Sequence, residues 1–402
     1  MEKVLIVGGG AGGLILANSL DLDQYDVTVV DKEAEHYYQP WYLYVAFKGS
    51  KRKISRPISK LLKPGIRFVK DTIKEIDLDN KKAYGSYEVI YPYDHIIVAT
   101  GTSPDPNVIP GLSQIYNQVG DFHSNLQNSR KLWNSVKNFK GGNIVFGMAS
   151  PVCKCPPSPI EGVLLLEEYL NKKGLRSKTK ITYFTPYPRA YPAEPMNRIV
   201  EPMLKERGIE VMPFFDLDMV DTENRKIKSI EGDELNYDLP IIIPPCKGTK
   251  IKFRQDVKDE DGFIKADKYT MRIKGYDDAY AVGDVNNLPT SKTGVTAHLE
   301  AKVVANLIQG IYDKFTGRIN CPFDMGYGKA TFVIADYENP VVEYPPSRTK
   351  HFMKMSMARI YWLTLKGYMD PVFDFYFEFT NPRKLNEKYN KTNPPKASLQ
   401  PQ

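Results

Sequence analysis

Val4-Leu5-Ile6-Val7, a strand-like apolar run, leads directly into Gly8-Gly9-Gly10-Ala11-Gly12-Gly13 and then into the helical stretch Leu14-Ile15-Leu16-Ala17. A second apolar run, Val27-Thr28-Val29-Val30, closes on Asp31, 18 residues after Gly13. Gly8, Gly10 and Gly13 have the spacing G-x-G-x-x-G. Glycines there let backbone N–H groups reach a pyrophosphate at a helix N-terminus, and the acid takes a ribose hydroxyl. The glycine spacing alone is a weak signal. Strand, glycines, helix, strand and acid in that order constrain the chain to an α/β dinucleotide-binding fold.

Two further runs bear on which dinucleotide. Tyr93-Asp94-His95-Ile96-Ile97-Val98 is an apolar strand that ends in Ala99-Thr100-Gly101, and it resembles the crossover signature of flavoproteins with two dinucleotide-binding domains. Ala279-Tyr280-Ala281-Val282 ends in Gly283-Asp284, and in that superfamily the equivalent acid binds the ribityl chain of FAD. A helix is expected from Thr293 to Ile308, with its N-terminus toward the flavin. Gly294 there permits close approach, and Lys292 offers positive charge to the reduced ring. Each short motif alone is compatible with an ordinary buried strand end; their order favours FAD.

The chain has 402 residues, enough for two or three domains. Its 42% hydrophobic and 26% charged residues are those of a globular protein with a sizeable core. Strands and helices alternate again from Pro106 to Pro245. Gly142-Asn143-Ile144-Val145-Phe146-Gly147 opens this segment like a nucleotide site, but Met148-Ala149-Ser150-Pro151 follows where glycines belong. Side chains and a proline hinder the backbone approach that a pyrophosphate needs. The expected fold is therefore two Rossmann-like dinucleotide-binding domains, the second without a working NAD site. The FAD-binding domain is divided between 1–105 and 247–335, around a second domain at 106–246, and a C-terminal region covers 336–402.

Four cysteines are too few for a disulfide scaffold, and the five scattered histidines give no metal spacing. A free cysteine is most often a small buried hydrophobe. Cys155 departs from that because prolines 151, 156, 157 and 159 stiffen its loop and a helix is expected from Glu161 to Leu170. A thiol there is expected to be exposed, with its thiolate favoured by the helix N-terminus. Glu161 is a candidate proton acceptor, or simply a first-turn acid. Cys153 and Cys246 are extra thiols, with redox or sulfur-storage roles left open.

Over nearly its whole length the chain resembles the sulfide:quinone oxidoreductases. The resemblance is carried by Tyr37-Tyr38-Gln39-Pro40 with Val45-Ala46, by Lys154-Cys155-Pro156-Pro157-Ser158-Pro159-Ile160-Glu161, by Gly283-Asp284 through Ser291-Lys292-Thr293, and by Asn320-Cys321-Pro322. It implies that Cys155 and Cys321 form a redox pair beside FAD, that sulfide is the electron donor, and that a membrane quinone is the acceptor on the opposite face. Gly294, Tyr327 and Phe332 are candidate quinone walls, or ordinary core residues. Some members carry a further cysteine on which covalent flavin attachment can depend. No cysteine lies between Gly101 and Cys153, so non-covalent FAD is expected.

His351 to Thr380 is crowded with Phe, Met, Tyr and Trp, but Lys354, Arg359, Lys366, Gly367 and Pro371 interrupt it. No run approaches the ~18 apolar residues of a crossing helix. From Val341 onward ten Lys/Arg exceed five Asp/Glu, a surplus of five. Basic ends and aromatic bodies suit a segment lying on a lipid surface, where a quinone enters, or a helix packed on the protein itself or on a second copy. No nucleic-acid motif accompanies it. Residues 381–402 are expected to be a loose polar tail. The N-terminus carries no signal-peptide pattern, so a cytoplasmic, membrane-attached protein, with homo-oligomers open, is the expectation. The rivals are a type II NADH:quinone oxidoreductase, a flavocytochrome-type sulfide dehydrogenase and a membrane-attached flavin redox sensor.

Overall fold

The computed structural model describes residues 1–151 and 154–392; Cys153, the extra thiol nearest Cys155, lies outside the described residues. Apolar runs without alternation need a sheet buried on both faces, and the first sheet is of this kind. Its strands are ordered Ala279–Ala281, His95–Val98, Glu2–Val7, Tyr25–Asp31 and Arg67–Lys70, all parallel. Helix Ala11–Ser19 follows the glycines, and helix Gly294–Ile308 packs beside it. Thr293 caps the latter, its hydroxyl accepting from Thr296 N.

The second sheet repeats the design with Ile209–Met212, Thr179–Phe184, Gly142–Met148 and Leu239–Ile243, again all parallel. Ser103–Pro104 pairs with Cys246–Lys247 where the chain leaves and rejoins the first sheet. Helix Ser158–Lys172 starts one turn before the expected Glu161, because Pro159 suits a first turn and Ser158 N finds Cys155 O. An antiparallel hairpin, Ile319–Asp324 with Ala330–Ala335, sets Cys321 opposite Val333.

The aromatic C-terminal segment forms helices Arg348–Thr364 and Asp370–Phe379. Lys354, Ala358, Trp362 and Leu365 turn inward, while Phe352, Leu363, Tyr368, Val372, Phe375 and Phe379 are exposed. Among the described residues no helix is long and apolar enough to cross a membrane. The expected loose tail is corrected in part: Pro382–Thr392 is a helix. Asn381 Oδ1 accepts from Arg383 N, Pro382 occupies the first turn, and Leu385 is buried with Phe332, Ile334 and Tyr376.

Candidate active site

The first glycine turn is a cradle that side chains would fill. A Cβ on Gly8 would lie 2.3 Å from Ala99 O, and one on Gly13 would lie 2.0 Å from Gly8 O; Gly8 also has φ +117°. Gly10 borders only Ala99 O, at 3.8 Å. Asp31 Oδ2 accepts from Gly9 N at 2.6 Å, and burial pushes its carboxyl up. Ala99-Thr100-Gly101 follows its strand directly, and Gly101 has open space at φ +67°. Across the site, Gly283 takes φ +79°, and half-buried Asp284 follows it, its carboxyl pushed up by burial against the opposing charges of Lys154 and Lys292. No atom stands within 4 Å of a Cβ placed on Gly294. The glycine cradle, Asp31 and the capped helix N-terminus together fit a flavin-type dinucleotide. Lys292 is mostly buried; its Nζ donates to Asn286 O and stands 4.3 Å over the Phe263 ring.

The thiols enter from the other domain and from the hairpin. Cys155 is half-buried rather than exposed, in the left-handed region at φ +53°. Its N–H donates to Lys292 O at 2.9 Å, which ties the thiol loop to the flavin motif. Cys155 Sγ and Cys321 Sγ stand 3.8 Å apart across 166 positions of sequence. That is contact without a bond, since a disulfide is about 2.05 Å. The Cys155 thiol and burial together push the Cys321 thiol well up.

Four contacts fix this meeting. Glu161 Oε1 accepts from Asp324 N at 2.6 Å, and Glu168 Oε2 from Tyr327 N at 3.1 Å. Tyr327 OH donates to Glu167 Oε1, and Arg207 Nη2 donates to Met325 O. Helix Ser158–Lys172, which follows Cys155, is thus stapled to the hairpin that carries Cys321. Tyr327 belongs to this staple, under the Arg207 guanidinium. Phe332 is buried against Tyr376, so its ring is core packing. Neither contact connects these two side chains with Gly294.

Sequence reasoning missed several residues. Lys354 pairs with Glu161 from the C-terminal helix; burial would neutralise it, but Glu161 and Asp324 outweigh that and hold its ammonium charged. Tyr44 OH donates to Asp324 Oδ2 at 2.6 Å. His36 spans from Gly9 O (3.0 Å) to Tyr361 OH (2.7 Å), with burial pushing it down to about 4. A neutral ring there donates from Nδ1, because the carbonyl only accepts, and takes the tyrosine proton at Nε2. The first glycine turn is so joined to the C-terminal helix. Lys354 had a signal, being one of the cations that interrupt an apolar run; His36 had none. Cys246 is buried beside a small cavity lined by Thr102, Asp121, His123 and Lys154. No metal-binding cluster occurs among the described residues.

A family model described as pyridine nucleotide-disulphide oxidoreductase matches residues 2–301. The chain belongs to that family, and its class is that of an oxidoreductase with a flavin-type dinucleotide site. The more particular likeness is to sulfide:quinone oxidoreductases. The mitochondrial sulfide:quinone oxidoreductase of Mus musculus is 25% identical over 393 residues, spanning 91% of this chain and 87% of the relative. That of Dictyostelium discoideum is 27% identical over 354 residues, spanning 84% and 78%. The solved sulfide:quinone oxidoreductase of the hyperthermophilic bacterium Aquifex aeolicus matches with a TM-score of 0.84 at 20% identity, covering 95% of this chain and 96% of that one. The resemblance drawn from the cysteine and flavin motifs is borne out.

Proposed function

We propose that this protein is an FAD-dependent sulfide:quinone oxidoreductase, with FAD held non-covalently. The observation that carries the reading is the 3.8 Å contact between Cys155 and Cys321. In the proposed cycle the pair is a disulfide at rest. Hydrosulfide attacks one sulfur, a new S–S bond forms as the old one breaks, and the products are one cysteine persulfide and one thiolate. Glu161, 163 positions before the Asp324 N–H that it accepts from, lies beside the pair with Lys354, where a sulfide proton can be taken. FAD, when bound, supplies two-electron acceptance from sulfur and delivery to quinone. The balance is HS⁻ + quinone + H⁺ → sulfane sulfur + quinol.

Gly8, Gly10, Gly13 and Asp31 hold the diphosphate and ribose in this reading. Ala99, Thr100, Gly101, Gly283, Asp284, Lys292, Thr293 and Gly294 surround the remainder. The domain division of the sequence reading is kept with it. Exposed Phe375 and Phe379, with Lys366 and Arg359 nearby in sequence, support a lipid-facing C-terminus through which quinone enters. Tyr327 and Phe332 are committed to other contacts, which leaves Gly294 as the quinone-wall candidate best placed to stay open.

The test is an anaerobic titration. Sulfide should bleach the flavin and NADH should not. Cys155→Ser and Cys321→Ser should keep the flavin and lose sulfide-driven reduction by about a thousandfold or more. Ordinary turnover in either variant would remove the mechanism.

A further inference from the structure

Glu300 is the one acid on helix Gly294–Ile308, and it has no exposed surface. A carboxyl in such a place loses its hydration, and apolar packing would be cheaper there. What it retains is specific. Oε2 accepts from Gly283 N at 2.6 Å and from Asn286 Nδ2 at 2.9 Å. Oε1 is sealed from solvent and has no hydrogen-bond partner among the described residues. Burial pushes the carboxyl up to about 8, against the Gly283 and Asn286 bonds. Its proton then sits on Oε1, and Oε2 remains the acceptor.

Both donors belong to the second flavin motif. Gly283 is held at φ +79°, a left-handed turn that immediately precedes Asp284. Asn286 donates also to Ala281 O (3.2 Å), and its side-chain oxygen accepts from Leu288 N (3.3 Å). Its backbone oxygen receives Lys292 Nζ. One buried oxygen on the helix therefore joins the strand end, the Gly283–Asp284 turn and the Lys292 segment.

We propose that Glu300 is a positioning residue for the flavin dinucleotide: it fixes the Gly283–Asp284 turn so that Asp284 meets the polyol chain of the cofactor. The inference rests on the FAD reading above. It does not require contact between Glu300 and FAD.

The test is FAD binding to apoprotein, followed by quenching of flavin fluorescence, with far-UV circular dichroism as the measure of folding. Glu300→Met keeps the volume and removes the acceptor; FAD affinity should fall about tenfold or more. Glu300→Gln keeps an acceptor oxygen for both donors and should bind within about threefold of the parent. A folded Glu300→Met with parental affinity overturns the proposal. So does a Glu300→Gln variant as weak as Glu300→Met, because charge rather than turn geometry would then be the cause. If Glu300→Met does not fold, Asn286→Ala replaces it: weakening by about threefold supports the proposal and parental affinity overturns it. Parent apoprotein that fails to take up FAD is a separate result. It removes the cofactor reading and this inference with it.

Discussion

The two strand–turn–helix units of this molecule share a scaffold and differ in the turn. Glu2–Val7 and Gly142–Met148 each lie between two parallel neighbours. In the first unit only Gly8, Gly9 and Gly10 separate strand from helix. In the second, the chain from Ala149 to Pro157 does so, and it carries Cys155. A short turn without side chains leaves a helix N-terminus open to the diphosphate of the proposed cofactor. A long turn with several prolines carries a sulfur ahead of its helix instead. The lesson is that backbone architecture supplies an anion-friendly position, and the turn decides what occupies it.

The comparison breaks most visibly at the first turn. Gly13→Ala puts a methyl 2.0 Å from Gly8 O, so the purified variant should be colourless, with flavin absorbance lost by about a hundredfold. A yellow Gly13→Ala protein would refute the assignment of this turn to the diphosphate. A smaller effect is expected at the staple between helix Ser158–Lys172 and the hairpin. Arg207→Ala removes the bond to Met325 O and leaves Glu167 without its cation. Sulfide-driven flavin reduction should slow about tenfold while flavin content is unchanged. A parental rate would show that the thiol spacing does not depend on the staple.

A further effect concerns pH and is read on stability rather than on the site. Glu300 has its carboxyl raised from 4.5 to about 8 by burial. An acid raised on folding leaves more protons on the folded state, so stability falls as pH rises between those two values. Glu300→Gln lacks that titration. The melting temperature of the glutamine apoprotein should gain on the parent from pH 5 to pH 8, by the equivalent of about 3 to 4 kcal/mol. A constant difference across that range would contradict the buried, protonated acid.

What could be read in the sequence follows from how local the physics is. The glycine turn, its helix and Asp31 are within 31 residues, and their pattern is set by steric rules that act along the chain. The missing glycines of the second unit were legible for the same reason. The meeting of Cys155 with Cys321 was not; it came from the family resemblance, because no spacing rule connects residues 166 positions apart. Lys354 was noticed as an interruption of an apolar run, though its partner Glu161 is 193 positions away. Tyr327 was a candidate quinone wall or a core residue; its bonds to Glu167 and Glu168, which sequence does not foretell, make it part of the staple. Helix Pro382–Thr392 was missed although Asn381-Pro382 is a readable start signal, because its polar composition suggested a tail. Leu385 is a buried apolar anchor that composition concealed.

The separation of the two thiols also bears on how the molecule is made. A ribosome releases Cys155 with its helix well before it reaches the hairpin bearing Cys321. Until then a nascent chain owns one sulfur and no partner for it. The first parallel sheet is in the same position, since Ala279–Ala281 supplies its edge strand and arrives late. In the proposed reading, chemical competence therefore waits for both segments, and a product terminated before Cys321 would be inert toward sulfide rather than partly active.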